Sequence, residues 1–137
     1  MESIKVADCM SAYFVSFRAD MAVPEAATML VQNELLGGPV VDGEGYLMGW
    51  ISEQDCLGVV SQAVYYSENV ATVADIMRTD VLTAGVNDSA LDLAKQMQKN
   101  KPKIYPIVNA TNKVIGVVSR RGILREMCAR IANPEHA

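Results

Sequence analysis

The sequence predicts an α/β protein of the α+β type, made of two pseudo-symmetric β-α-β-β-α motifs packed sheet to sheet. Two observations carry this. First, the chain repeats itself: Val6-Ala7-Asp8-Cys9-Met10 returns as Val73-Ala74-Asp75-Ile76-Met77, an offset of 67 residues from Val6 to Val73. At that offset, without a gap, Ala27 pairs with Ala94, Asn33 with Asn100, Pro39 with Pro106, Val41 with Val108, Gly49 with Gly116, Ser52 with Ser119 and Leu57 with Leu124. Self-similarity at a fixed period means two copies of one supersecondary unit. Second, short β-rich runs alternate within each copy with apolar stripes at helical spacing.

The elements follow in order. A short extended piece opens each copy, YFVSF in the first and DVLTA in the second. A helix comes next, with Val23, Ala26, Ala27 and Leu30 mirrored by Ala90, Leu93, Ala94 and Met97, the spacing of one buried helical face. Pro24 suits a first helical turn, and Asp20, Asn87 and Asp88 are capping residue types just upstream. GPVVD and YLMGWI, split by Asp42-Gly43-Glu44-Gly45, read as a hairpin, as do YPIVN and KVIGVV around Ala110-Thr111-Asn112. A second helix starts at Ser52 or Ser119 and carries Cys56, Leu57, Val59 and Val60, or Ile123, Leu124, Met127 and Ile131. Motif one is expected over residues 1–64, a linker over 65–72 and motif two over 73–137. Neither copy buries much alone, so two pseudo-equivalent clefts are expected between the motifs, where strand ends meet helix starts.

Composition narrows the function classes. The 137 residues carry a net charge of −4 without a basic cluster, which argues against nucleic acid as a partner. No apolar run reaches membrane-spanning length and the first ten residues lack a signal-peptide core, so a cytoplasmic protein without membrane contact is expected. Half the residues are hydrophobic, more than a small monomer easily hides, which points to self-association. Cys9, Cys56 and Cys128 are odd in number and follow no metal spacing, so they read as buried or half-buried free thiols, and no metal site is expected. The single histidine, His136, stands near the chain end. Ser52 has no base to activate it, and no catalytic residues or enzyme activity are expected.

The chemistry concentrates in the echo between GWISEQD, residues 49–55, and GVVSRRG, residues 116–122. Ser52 and Asp55 are spaced as a capping box, in which the serine accepts from the third helical amide and the acid reaches back. The same residues admit another reading. A helix start offers free N–H groups to a phosphate, the serine adds a donor, and a carboxylate one turn in can accept from two vicinal hydroxyls. Gly49 keeps the strand thin where a flat base would lie. Copy two retains Ser119 but has Gly122 in place of the acid.

Two β-α-β-β-α copies, each with an apolar-Pro-Val/Ile-Val strand and a Gly-apolar-apolar-Ser strand end before a helix, together resemble a tandem CBS-domain pair, the Bateman module named from cystathionine β-synthase. The resemblance runs from Ile4 to about Ile131. It implies a regulatory module that senses an adenosyl compound in the cleft between the motifs: AMP, ADP or ATP, in some members NAD or S-adenosylmethionine. No cofactor is required. The family's Ser/Thr-x-x-Asp pattern gives Ser52 the phosphate and Asp55 the ribose. Leu36, Gly37, Gly38 and Pro39 border the adenine, and Val15 and Ser16 are further candidates. The second, degenerate site comprises Ser119, Arg120, Arg121, Lys103, Ile104, Tyr105 and Pro106, with Leu82 and Thr83 on the first strand. There the missing carboxylate predicts weak or altered binding, with Arg120 and Arg121 facing a polyphosphate or a partner's carboxylate.

Tyr105, Tyr65, Tyr66 and Trp50 are candidates for stacking on adenine or, alternatively, for core and dimer packing. A homodimer is expected through Leu57, Val60, Ile123 and Met127, with an unidentified protein target signalled to in trans. The alternative function is a structural dimerisation module with empty clefts.

Overall fold

The computed structural model describes residues 3–66 and 71–133. Residues 67–70 of the expected linker and His136 lie outside the described residues. In chain order the elements are α1 (Val6–Cys9), α2 (Val23–Gln32), β1 (Gly37–Val41), β2 (Leu47–Ser52), α3 (Glu53–Tyr66), α4 (Val73–Ile76), α5 (Ala90–Met97), β3 (Ile104–Val108), β4 (Val114–Ser119) and α6 (Arg120–Ala132). The four longer helices, the two hairpins and their order match the sequence reading, whereas the short helices α1 and α4 are additional to it; the repeat is geometric as well as textual.

The expected opening strands shrink to one residue each. Phe17 bridges Val40 in parallel, and Ala84 bridges Ile107 at the same offset. Phe17 N–H donates to Pro39 O at 2.9 Å and its carbonyl accepts from Val41 N–H at 2.9 Å. β1 and β2 pair antiparallel with Gly37 opposite Ser52 and Pro39 opposite Trp50, and β3 and β4 form the second two-stranded sheet.

The repeated Val-Ala-Asp motif folds as the short helices α1 and α4. Each is closed at its start by its own acid: Asp8 Oδ2 accepts from Lys5 N–H at 2.9 Å, and Asp75 Oδ2 from Thr72 N–H at 2.9 Å. The capping residues differ from expectation. Ser89, rather than Asn87 or Asp88, caps α5 by accepting from Asp92 N–H at 3.2 Å, while α2 has Ala22 at its N-cap position, hence no side-chain cap, and Pro24 in its first turn. Asp88 instead takes Gly85 N–H at 2.8 Å and shapes the preceding turn.

The chain forms two compact units. One runs through Val15–Val81 with Asn112–Val114; the other takes the segment up to Phe14, Leu82–Thr111 and the segment from Ile115. The leading segment of each copy therefore belongs to the unit of the other copy. Thr72 and Arg78 bridge Ala22 and Trp50 in the first unit, and Lys5 and Ser11 bridge Ser89 and Val117 in the second.

Each unit has its own apolar core. In the first, Phe17, Val23, Ala26, Leu30, Val40, Ile51, Cys56 and Val73 are buried together. In the second, Val6, Ala84, Leu93, Met97, Tyr105, Ile107, Val118 and Ile123 are. Among the described residues no helix is long and apolar enough to cross a membrane.

Candidate functional site

In the first unit most of the residues expected to border a ligand meet at one edge of the hairpin. β1 and β2 place Gly37 opposite Ser52, and Glu53 N–H donates to Leu36 O at 2.9 Å, tying the start of α3 to the start of β1. The carbonyl of Val15 lies beside Gly38: a Cβ on that glycine would come within 3.2 Å of it. Ser16 is half-buried on the same segment, between Val15 and Phe17. The edge is thus a short wall of backbone ending in the first turn of α3.

Ser52 performs the first half of its expected cap, accepting from Asp55 N–H at 3.1 Å. Such a cap contributes about 1 kcal/mol. Asp55 does not perform the second half. Its carboxylate is taken by Arg78, whose Nε and Nη2 donate to Oδ2 and Oδ1 at 3.1 and 3.3 Å. The carboxylate raises the pKa of Arg78, chiefly through this hydrogen bond. Sequence reasoning missed Arg78 because it belongs by sequence to copy two. The signal that places it is Gly49, where a Cβ would meet Arg78 O at 2.7 Å and Met77 Sδ at 2.8 Å. The thin strand at Gly49 admits this incoming backbone rather than a base.

The Gly37-Gly38 pair has a packing cause as well. A Cβ on Gly37 would lie 2.6 Å from Trp50 Nε1, and one on Gly38 would lie 2.6 Å from Phe17 Cε2. Two aromatic rings therefore occupy the space that side chains at 37 and 38 would fill.

The second unit repeats the frame with different chemistry. Ser119 caps α6 by accepting from Gly122 N–H at 2.9 Å, and Arg120 N–H donates to Lys103 O at 2.8 Å, as Glu53 does to Leu36. Arg120, Arg121 and Lys103 are exposed around that turn. Ile104 is half-buried and Pro106 buried on β3. Thr83 lines a small polar pocket of about 210 Å³ with Asp88, Ser89, Asp92 and Gln96, a lining that does not include Ser119. Tyr105 is 1 % exposed and belongs to the core, so its ring does not stack on an external base. Burial raises its pKa, and its hydroxyl reaches Gln96 Oε1 only at 3.5 Å. Gly122 has no space for the missing acid, since a Cβ there would stand 2.9 Å from Cys9 O.

Other expectations sort by burial. Tyr65 and Tyr66 are exposed on the last turn of α3, and Trp50 is half-buried against Gly37. Ile123, expected at a dimer contact, is 2 % exposed and packs inward as the counterpart of Cys56. Cys128, expected to be at least half-buried, is exposed, while Cys56 is buried. Burial, followed by the charge of Asp55, raises the thiol pKa of Cys56.

The family model for the CBS domain matches this chain twice, over residues 6–62 and 73–129. The chain belongs to the CBS-domain family. The CBS pair of protein MJ0100, solved with 5′-methylthioadenosine and S-adenosyl-L-methionine, is 25 % identical with a TM-score of 0.79 over 94 % of this chain and 99 % of that one. CBSX2 from Arabidopsis thaliana, solved with AMP, has the same fold at 24 % identity and TM-score 0.80, over 94 % of this chain and 98 % of that one. Among curated relatives, a homoserine O-acetyltransferase from Methanococcoides burtonii is 29 % identical over 120 residues. That match takes in 88 % of this CBS pair but only 23 % of the relative's length, and an L-aspartate semialdehyde sulfurtransferase from Methanocaldococcus jannaschii is matched over 22 % of its length.

Proposed function

We propose that the chain is a regulatory CBS pair, not an enzyme, that binds one adenosyl compound of the AMP, ADP or ATP class at the Ser52–Asp55 edge of the first unit. The carrying observation is the contrast at the two helix starts. Both copies offer a capped first turn with a serine, and only copy one adds a carboxylate, held one turn in at Asp55. The adenosyl compounds held by the CBS pair of MJ0100 support that ligand class. The Ser52 hydroxyl at the start of α3 receives the phosphate, Asp55 the ribose hydroxyls, and the backbone from Val15 and Leu36 to Pro39 borders the base. The Ser119–Arg121 turn, lacking an acid, is the weak site.

Calorimetric titration of AMP, ATP and S-adenosylmethionine into the protein and its Asp55→Ala variant tests this. A hydrogen bond to a charged group contributes roughly 1.5–3 kcal/mol, so the variant loses about one to two decades of affinity. Equal affinities in the two proteins, or two equivalent sites per chain, would defeat the reading.

One observation favours a second reading, a structural dimerisation module without a ligand: Arg78 already engages both carboxylate oxygens of Asp55. Under that reading the protein melts at one temperature with or without millimolar AMP, ATP, NAD and S-adenosylmethionine.

Self-association fits both readings. α2 and α3 expose Val31, Leu57 and Val64 beside an apolar groove of about 480 Å³, and α5 and α6 expose Leu91, Leu124 and Ile131. We assign a cytoplasmic homodimer, acting in trans on a protein target, to these faces; a monomer by light scattering would remove that part.

A further inference from the structure

The carboxylate assigned to the ribose carries a cation of its own. Arg78 grips Asp55 at two points, 3.1 and 3.3 Å, and its main chain is fixed from both sides, donating to Trp50 O at 2.9 Å and accepting from Trp50 N–H at 2.8 Å. The acid is the sheltered partner, with a side chain 24 % exposed against 64 % for the arginine. The matching positions of the other copy are Ser11 and Gly122. Ser11 keeps the same backbone bridge, to Val117, at 2.9 and 3.0 Å. The scaffold is therefore common to both units, while the two opposite charges are present together in one and missing together in the other.

An ion pair this exposed adds little to stability, so the fold alone gives a weak reason for the pair. Its position gives a better one. The first turn of α3 also carries Glu53, which is exposed. Without Arg78 the candidate edge would present two carboxylates, Glu53 and Asp55, to any incoming phosphate. The fork employs two of the roughly four acceptor positions of the carboxylate and two of the five guanidinium N–H donors. A vicinal diol therefore has acceptor positions left on Asp55 while Arg78 keeps donors and a full positive charge for an anion.

Resting on the adenosyl-binding reading above, we propose that Arg78 sets the charge preference of this site: it admits adenosyl ligands that carry phosphate and disfavours neutral or cationic ones. Copy two has neither charge of the pair, so any charge preference there comes from Arg120, Arg121 and Lys103, without an acid to hold the ribose.

The test compares AMP with adenosine, which share base and ribose and differ by the phosphate. Both are titrated calorimetrically into the wild-type protein, Arg78→Gln and Arg78→Lys, at low and high salt. Arg78→Gln is expected to weaken AMP about ten- to a hundredfold and to leave adenosine within about threefold, the scale of one charge-assisted contact. Arg78→Lys, which keeps the charge and loses the fork, retains part of the preference. In the wild type, high salt is expected to reduce the AMP-to-adenosine ratio, because the arginine is exposed to screening.

Equal losses for AMP and adenosine in Arg78→Gln would make Arg78 a mere support for Asp55 and overturn the proposal while leaving adenosyl binding intact. If Arg78→Gln fails to fold, the ratio in Arg78→Lys and the salt response of the wild type decide, and no change in either overturns the proposal. A wild-type protein that binds neither AMP, adenosine nor S-adenosylmethionine overturns both this proposal and the reading beneath it.

Discussion

The two units build one frame and fill it from opposite sides. In the first, the Phe17 ring lies over Gly38, where a Cβ would come within 2.6 Å of Cε2. In the second, the counterpart of Phe17 is Ala84 and the counterpart of Gly38 is Tyr105, and both belong to that unit's core. A large and a small residue have changed places across the contact. The neighbouring positions differ in the same sense by sequence: Trp50 stands against Gly37 in one unit, and the matching residues of the other are Val117 and Ile104. Close packing demands that the space be filled; it is indifferent to which strand supplies the ring. Gly37 and Gly38 are thus consequences of two aromatic neighbours, and Tyr105 is a core residue by the same exchange.

This comparison is broken or upheld most forcefully at the core. Phe17→Ala empties a fully buried ring position and is expected to cost about 3–5 kcal/mol. Gly38→Tyr alone is expected to be comparably damaging, because the new side chain meets the Phe17 ring. The double variant Phe17→Ala/Gly38→Tyr copies the arrangement of the second unit and should recover about 2 kcal/mol or more relative to the sum of the singles. Urea unfolding of the four proteins gives the coupling. Additive losses would show that the two units do not exchange volume in this way.

What was legible follows the same division. The repeat, the hairpins, the four longer helices and the Ser52 and Ser119 caps were readable because they rest on local chemistry: turn residues, apolar spacing and N-cap types. α1 and α4 escaped, since Val-Ala-Asp marks the register of the repeat but offers only four residues of helix. The opening strands were read too long because each pairs through a single bridge. Arg78 and the exchange of Phe17 with Tyr105 were hidden for another reason. Both depend on which segment of a distant copy arrives beside a site, and no local pattern encodes that arrival. The glycines hold the trace of it. Gly37, Gly38, Gly49 and Gly122 each stand where another group comes too close for a Cβ.

Gly122 sharpens the comparison at the helix starts. Asp55 has space for its side chain, whereas a Cβ at position 122 would lie 2.9 Å from the backbone carbonyl of Cys9 and 3.3 Å from Ser119 Oγ. Gly122→Asp is therefore expected to lose about 1–3 kcal/mol through crowding and to gain no adenosyl affinity in the second unit. Thermal melting and the number of sites by calorimetry check the two halves. A stable variant with a new site would mean that the acid alone separates the units.

The smallest difference lies at the hairpin turns. In the first unit Asp42 Oδ1 accepts from Glu44 N–H at 2.9 Å and Tyr46 N–H at 3.0 Å. These backbone hydrogen bonds, Tyr46 foremost, lower the carboxyl pKa below its ordinary 3.8. At the same place in the second unit Asn109 Oδ1 accepts from Thr111 N–H at 3.0 Å and from its hydroxyl at 2.8 Å, with no proton to gain. A carboxyl whose folded pKa is depressed contributes its stability above the unfolded pKa and loses it as pH falls through the folded value. The stability difference between wild type and Asp42→Asn is thus expected to favour the wild type at pH 7 and to shrink below about pH 4. Denaturant midpoints at several pH values measure it. Asn109→Asp should create the same acid sensitivity in the second turn, and a difference that stays constant with pH would mean that the Asp42 carboxylate is not what holds its turn.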